Sequence, residues 1–329
     1  MRFIFVLILS VLCSGNMFGQ WLPDSLLAHY SYRTVTQPDD YQGQVVSTII
    51  KHDSVVPGGR GVVYIHGFND YFFQGALGDS LVAHRWNFRA VDLRRYGRSL
   101  RPGMKRYQAR NLNEYFPDID STVVDMTKAG IDTIVIIGHS TGGLIASLYM
   151  NNHPSADIRG LILNSPFLGW NMNGFTRNVL IPAVSCLGAH FPNISISQGN
   201  DPSYGESLNA DYNGEWQFDT SKKLLVSPPV TSGWIRAIQE GQQYLRKHSD
   251  ITVPILLMHS DKSVDSKHVS DGDAVLNVAD ISKWGRRLGP DVTEVTVPGG
   301  LHDLILSSPS VRKAVYESMF RWLDRQFGL

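Results

Sequence analysis

The stretch IVIIGHSTGGLIASLYM, residues 134–150, decides how this chain is read. A β-branched apolar run, the composition of a strand buried on both faces, stops at Gly138, and helix-forming residues resume a few positions later. Between them Gly138 and Gly142 flank Ser140 in a G-x-S-x-G pattern at a strand-to-helix turn. Glycine at these places lets strand and helix close on each other, and the residue at the apex is held in a strained backbone conformation. The first amides of the following helix face that apex and stabilise negative charge developing there. Ser140 is therefore expected to be a nucleophile, against the plain alternative of a glycine-rich turn with a bystander serine.

The same alternation extends in both directions. QVVSTIIKHD, GVVYIHGF, NFRAVDLRRYGRS, DTIVIIG, IRGLILNSP, VPILLMHS and DVTEVTVPGG each read as strands. Residues 111–129 carry Leu112, Tyr115, Phe116, Ile119, Val123 and Met126 at helical spacing, and residues 144–150 and ADISKWGRRLG also read as helices. Nearly all-apolar strands alternating with helices imply an α/β fold, a mostly parallel sheet covered on both faces. Between Ser165 and Val253 the rhythm breaks into a segment rich in Pro, Gly, Asn and aromatics. A structureless loop of that length is improbable in a compact domain, so the segment is expected to be an inserted, partly helical cap. In it SGWIRAIQEGQQYLRKH puts Trp234, Ile238 and Leu245 on one helix face, with Ser232 as the expected cap. The expected organisation is a leader over residues 1–19, a core over 20–166, the cap over 167–250 and the rest of the core over 251–329.

A serine hydroxyl needs a base. His302, in VPGGLHDLILS, follows the last strand and would reach the sheet edge that carries Ser140. The order Ser, acid, His places the acid after the preceding strand, where Asp261, Asp265, Asp271 and Asp273 compete. Asp273 is favoured because it lies just before the helix that packs back on the sheet, and Asp261, directly off the strand, is the alternative. After GVVYI, His66 and Gly67 form a turn in which the Phe68 N–H, together with that of Thr141, is expected to form an oxyanion hole. His139 and His259 read as packing or turn residues, and Asp303 as a local turn contact.

Composition narrows the partners. The formal charge is zero and no basic run stands out, which argues against nucleic acid. MRFIFVLILSVLCSGNMFGQW opens with Arg2 and an apolar stretch too short to span a bilayer, the pattern of a secretory signal peptide, with cleavage expected after Gly19. Lipid modification at Cys13 is the less favoured route, because Leu12 is bulky. Without Cys13, Cys186 has no intramolecular disulfide partner in an exported protein. No H-E-x-x-H, paired C-x-x-C, P-loop or G-x-G-x-x-G motif appears, so neither a metal nor a cofactor is expected.

The runs YIHGFNDY, VDLRRYGRS, IIGHSTGG, NSPF, DAVLNV with WGRRLG, and PGGLHDL resemble the α/β-hydrolases, specifically the branch holding monoacylglycerol lipases, lysophospholipases and serine aminopeptidases. The resemblance covers most of the chain from about residue 60. It implies Asp273 as the acid, followed two residues later by Val275 and then a helix, with residues 261–272 as an inserted stretch. It also implies that residues 167–250 form the lid over an acyl pocket, with Trp170, Phe175, Trp216 and Trp234 as candidate lining residues. The expected activity is hydrolysis of a small acyl ester by Ser140, His302 and Asp273, with peripheral contact to lipid left open. A peptidase would need a cap carboxylate for a free amine, with Glu206, Asp211, Glu215 and Asp219 available, and a non-catalytic binding protein would resist serine-directed phosphonates.

Overall fold

The computed structural model describes residues 18–153 and 155–328. The expected leader lies outside them except for Phe18 and Gly19, which pair with Val35 and Thr34. Cys13 is likewise outside the described residues.

The chain begins with β1 (Leu22–Pro23), β2 (Tyr30–Asp40), β3 (Gly43–His52) and β4 (Arg60–Ile65), then α1 (Gly75–Ala83) and β5 (Asn87–Asp92). There follow α2 (Phe116–Lys128), β6 (Thr133–His139), α3 (Thr141–Asn152) and β7 (Ile158–Asn164). The nine-stranded sheet runs β1-β2-β3-β5-β4-β6-β7, continuing into β10 (Ile255–Ser260) and β11 (Val292–Val297). Strands β1 to β3 pair antiparallel, as do β3 and β5, and the rest of the sheet is parallel.

Side-chain alternation explains why the central strands are uniformly apolar. Val62, Tyr64, Val135 and Ile137 enter the core under α1 and the C-terminal helix, while Val63, Ile65, Ile134 and Ile136 enter the opposite core with α2 and α3. Helix α2 is preceded by a short 3-10 turn, Leu112–Tyr115, held by a reciprocal Asn111–Glu114 capping box.

Two elements go beyond the sequence reading. Strand β2, YSYRTVTQPDD, is polar and contains Pro38, and it becomes a strand by pairing with β3. The C-terminal helix α8 (Pro309–Phe327) begins with proline at its first position, ends at a left-handed Gly328, and buries Val315, Met319, Trp322 and Leu323.

Between β7 and β10 the insertion contains α4 (Ile181–His190), β8 (Ser195–Ile196), α5 (Ser203–Leu208), β9 (Val230–Thr231) and α6 (Ser232–His248). Thr231, not the expected Ser232, caps α6 through its hydroxyl to the Trp234 N–H, and the Ser232 hydroxyl instead donates to the Phe191 carbonyl. Ser232 has helical backbone and lies one residue too far in to cap. After β10, α7 (Val278–Gly285) leads to β11.

Candidate active site

The carboxyl ends of β4, β6, β7, β10 and β11 lie side by side, and Ser140, Asp273 and His302 lie on the segments that leave the sheet there. Ser140 sits at the apex between β6 and α3 with φ 53° and ψ −119°, in the positive-φ half of the backbone map that side-chain-bearing residues avoid. Its N–H donates to the Asn164 carbonyl, which fixes the turn against β7. A Cβ at Gly142 would run into the carbonyls of Ile65 and His66, and one at Gly67 would approach the Ser140 Cβ to 3.0 Å. The glycines therefore let the β4 turn press against the Ser140 turn. Because those obstacles are backbone, Gly142→Ala is expected to lower the unfolding free energy by roughly 1–3 kcal/mol, read from the urea midpoint, and to depress activity with it.

Ser140 Oγ lies 2.8 Å from His302 Nε2, and His302 Nδ1 lies 3.0 Å from Asp273 Oδ2. All three residues are buried. The other oxygen of Asp273 accepts the N–H groups of Val275 and Leu276, both at 2.8 Å, so the carboxylate is oriented from its far side. A carboxylate only accepts, which puts the His302 proton on Nδ1 and leaves the Nε2 lone pair for the serine hydroxyl. The stretch inserted after β10 closes on itself: the Asp273 N–H donates to the Lys262 carbonyl and the Val264 N–H to the Asp273 carbonyl. Residues 265–272 are thereby pinched off, and Asp273 returns to the strand end. Asp261 is exposed and turns the other way, accepting from the Gly299 N–H at 2.9 Å.

His66 fixes the turn after β4. Its Nε2 accepts the Leu93 N–H at 3.1 Å, so Nδ1 carries the proton and donates to the Gly67 carbonyl at 2.8 Å. The C=O and N–H of a trans peptide point opposite ways, so this bond aims the Phe68 N–H away from His66. Among the described residues neither the Phe68 nor the Thr141 N–H donates to a protein acceptor. Two free amides beside a bonded Ser–His–Asp chain can hold an oxyanion while the histidine moves a proton.

The cavity over Ser140 measures about 180 Å³. Phe68, Phe167, Trp170 and Trp234 form an aromatic wall, with ring centroids of Phe68 and Trp234 4.8 Å apart and of Phe167 and Trp170 4.7 Å apart. Of the four cap aromatics singled out in the sequence, Trp170 and Trp234 line this cavity. Phe175 is 64% exposed on the outer surface. Trp216 is turned toward the C-terminal core, where its Nε1 donates to the Leu306 carbonyl. Neither lines the cavity.

Sequence reasoning missed a polar layer behind this site. Asp303 is not a local turn contact: its Oδ1 accepts from Asn164 Nδ2 at 2.7 Å and its Oδ2 lies 3.8 Å from His139 Nε2. Burial pushes the His139 pKa down, and its Nδ1 faces the Asn164 carbonyl at 3.2 Å. Asp70, His139 and Asp303 bring potential metal ligands within 4.8 Å of one another, but the Lys223 ammonium, 3.1 Å from Asp70, already supplies positive charge there. Nothing in local sequence spacing joins residues 70, 139, 223 and 303. His259 bonds Glu294 at 3.0 Å, a strand-end contact.

The topology, with this elbow and these loops at one sheet edge, defines an α/β-hydrolase. The chain belongs to the family described as serine aminopeptidase, S33, whose model matches residues 59–309. Among curated proteins it is similar to the human (lyso)-N-acylphosphatidylethanolamine lipase, 29% identical over 154 residues, which are 45% of this chain and 40% of that protein. It is also similar to the AB hydrolase superfamily protein YisY of Bacillus subtilis, 30% identical over 109 residues, 32% of this chain and 38% of that protein. The chain thus matches about two fifths of the length of these relatives. A soluble variant of monoglyceride lipase from Saccharomyces cerevisiae superposes with TM-score 0.64 at 19% identity, covering 93% of this chain and 94% of that one. The Paleococcus ferrophilus monoacylglycerol lipase gives 0.62 at 22% identity, covering 82% and 96%.

Proposed function

We propose that the chain is a serine hydrolase of carboxylic esters with an apolar acyl group, of the acylglycerol or lysophospholipid kind. The observation that carries the reading is the continuous hydrogen-bonded chain Ser140–His302–Asp273 beneath an aromatic wall. Ser140 Oγ attacks the ester carbonyl as its proton passes to His302 Nε2, with Asp273 balancing the imidazolium. The Phe68 and Thr141 amides hold the oxyanion. The tetrahedral adduct collapses, the C–O bond to the alcohol breaks, and His302 returns the proton to the leaving oxygen. A water, deprotonated by His302, then releases the acid and restores Ser140.

The lipases to which the chain is similar agree with an ester substrate. Recognition of a free amine finds no support in Glu206, Asp211, Glu215 or Asp219, none of which lines the cavity; the insertion carboxylate that does line it is Asp201, whose Oδ1 accepts the Ser203 N–H at 2.9 Å. Glu215 lies 3.7 Å from Arg312, and Asp219 is bound to Lys222. Export under the direction of residues 1–19 is part of the proposal and rests on their sequence pattern. Exposed Phe175, Val179, Leu180, Leu187 and Phe191 on the insertion support peripheral contact with lipid.

The test is a serine-directed fluorophosphonate followed by peptide mass spectrometry, together with a p-nitrophenyl ester series. The label is expected on Ser140 in one-to-one yield; labelling elsewhere or none would remove the reading. A cavity of about 180 Å³ has room for about six water-sized groups, so kcat/KM for butyrate or hexanoate should exceed that for palmitate by about tenfold or more.

A further inference from the structure

Three consecutive residues behind the proposed oxyanion amide are each tied to the insertion. Asn69 has φ 49°, a left-handed conformation that asparagine tolerates better than most residues. Its Nδ2 donates to the Leu224 carbonyl at 2.8 Å, and its Oδ1 accepts the Leu224 N–H at 3.0 Å and the Tyr107 hydroxyl at 3.1 Å. Asp70 Oδ1 pairs with the buried Lys223 ammonium at 3.1 Å. The Tyr71 hydroxyl accepts the Asp219 N–H at 2.8 Å. On the neighbouring loop, Arg106 donates to the Ser221 carbonyl at 2.7 Å, and the Phe73 and Phe218 rings lie 5.1 Å apart.

Residues 219–225 contain no helix or strand; beside a local turn in which the Asp219 carbonyl accepts the Lys222 and Lys223 N–H groups, these contacts give that strap its path. The dependence runs both ways. The Gly67–Phe68 peptide is anchored on the core side by His66, and on its other side the chain must pass through a left-handed Asn69 whose side chain makes two of its three hydrogen bonds to the strap and the third to Tyr107. We propose that the 219–225 strap positions the Phe68 N–H for the oxyanion, with Asn69 as the positioning residue through which it acts. This rests on the ester-hydrolase reading above and deepens it: closure of the insertion and assembly of the oxyanion hole become one event.

The test compares Asn69→Gly, Asn69→Asp and Tyr71→Phe with wild type on p-nitrophenyl butyrate, and measures inhibition by butaneboronic acid, whose serine adduct places an oxygen where the oxyanion forms. Glycine keeps the left-handed backbone and removes all three side-chain bonds; aspartate keeps the acceptor for Leu224 and Tyr107 and loses the donor; phenylalanine removes only the Tyr71 acceptor. The expected result is a fall in kcat of roughly 10- to 100-fold for Asn69→Gly, smaller for the other two, with KM within about threefold. Boronate affinity should fall with kcat/KM, and fluorophosphonate should still label Ser140. A thermal melt guards against misfolding of Asn69→Gly, and Tyr71→Phe, which deletes one hydroxyl, keeps the test open if that variant does not fold. Unchanged kcat and boronate affinity in folded variants, or a loss confined to thermal stability, would overturn the inference. If Ser140→Ala were as active as wild type, the parent reading would fail; if Ser140→Ala were inert and folded Asn69→Gly fully active, only the strap's role would.

Discussion

Asp273→Asn is expected to lower kcat/KM for p-nitrophenyl butyrate by roughly 10⁴-fold, while Asp261→Asn should stay within about threefold of wild type. The reason lies in proton bookkeeping. The N–H groups of Val275 and Leu276 both point at Oδ1 of Asp273, so an asparagine there would keep its carbonyl oxygen on that side and present its NH₂ to His302 Nδ1. Two donors cannot face each other, and the imidazole would take the tautomer with its proton on Nε2. Nε2 would then donate to Ser140 Oγ instead of accepting from it, and the serine would have no base. Folding should suffer far less, since the backbone bonds that shape the 273–276 turn survive. Asp261 is exposed, and among the described residues its carboxylate holds only the Gly299 N–H and a long contact from Ser260. Comparable losses in Asp261→Asn, with Asp273→Asn unaffected, would reverse the assignment.

What could be read from the sequence follows a physical division. The elbow around Ser140 was legible because its constraint is local: two glycines, a buried strand and a helix start within a few residues. The parallel core strands were legible because burial on both faces forces an apolar run. His302 followed from topology, being the histidine just after the last strand. The acid was ambiguous because the chain makes a detour after β10, and the closure of Lys262 and Val264 onto Asp273 consists of backbone hydrogen bonds that leave no mark on residue type. Strand β2 carries no hydrophobic signature, since only a few of its side chains are buried and its stability comes from the ladder with β3. The Asn69, Asp70, Lys223 and Asp303 contacts bridge more than 130 positions each, and an asparagine or lysine so used looks like any surface residue in the sequence. Phe175 and Trp216 show the converse, that an aromatic in a cap does not by itself announce which face it occupies.

Ser140→Ala should reduce kcat/KM by roughly 10⁴- to 10⁶-fold and abolish both fluorophosphonate labelling and adduct formation with butaneboronic acid. Alanine keeps the Cβ, so the backbone at φ 53° is no more strained than before, and the loss of one hydroxyl bond to His302 should cost the fold only about 1 kcal/mol. The drop would therefore report chemistry and not unfolding, which matched thermal melts would verify. Ser165 is the internal control. It too is buried with a left-handed backbone, φ 46°, it follows the neighbouring strand β7, and its hydroxyl has no partner among the described residues. Strain and burial alone would make the two serines equivalent candidates. What separates them is the acceptor: a histidine nitrogen oriented by a carboxylate lies 2.8 Å from Ser140 Oγ, and none is bonded to Ser165. Ser165→Ala should accordingly retain turnover within about threefold of wild type. If it were Ser165→Ala that went silent while Ser140→Ala kept more than about one per cent of the activity, the elbow would be a structural turn and the covalent route through Ser140 would be wrong.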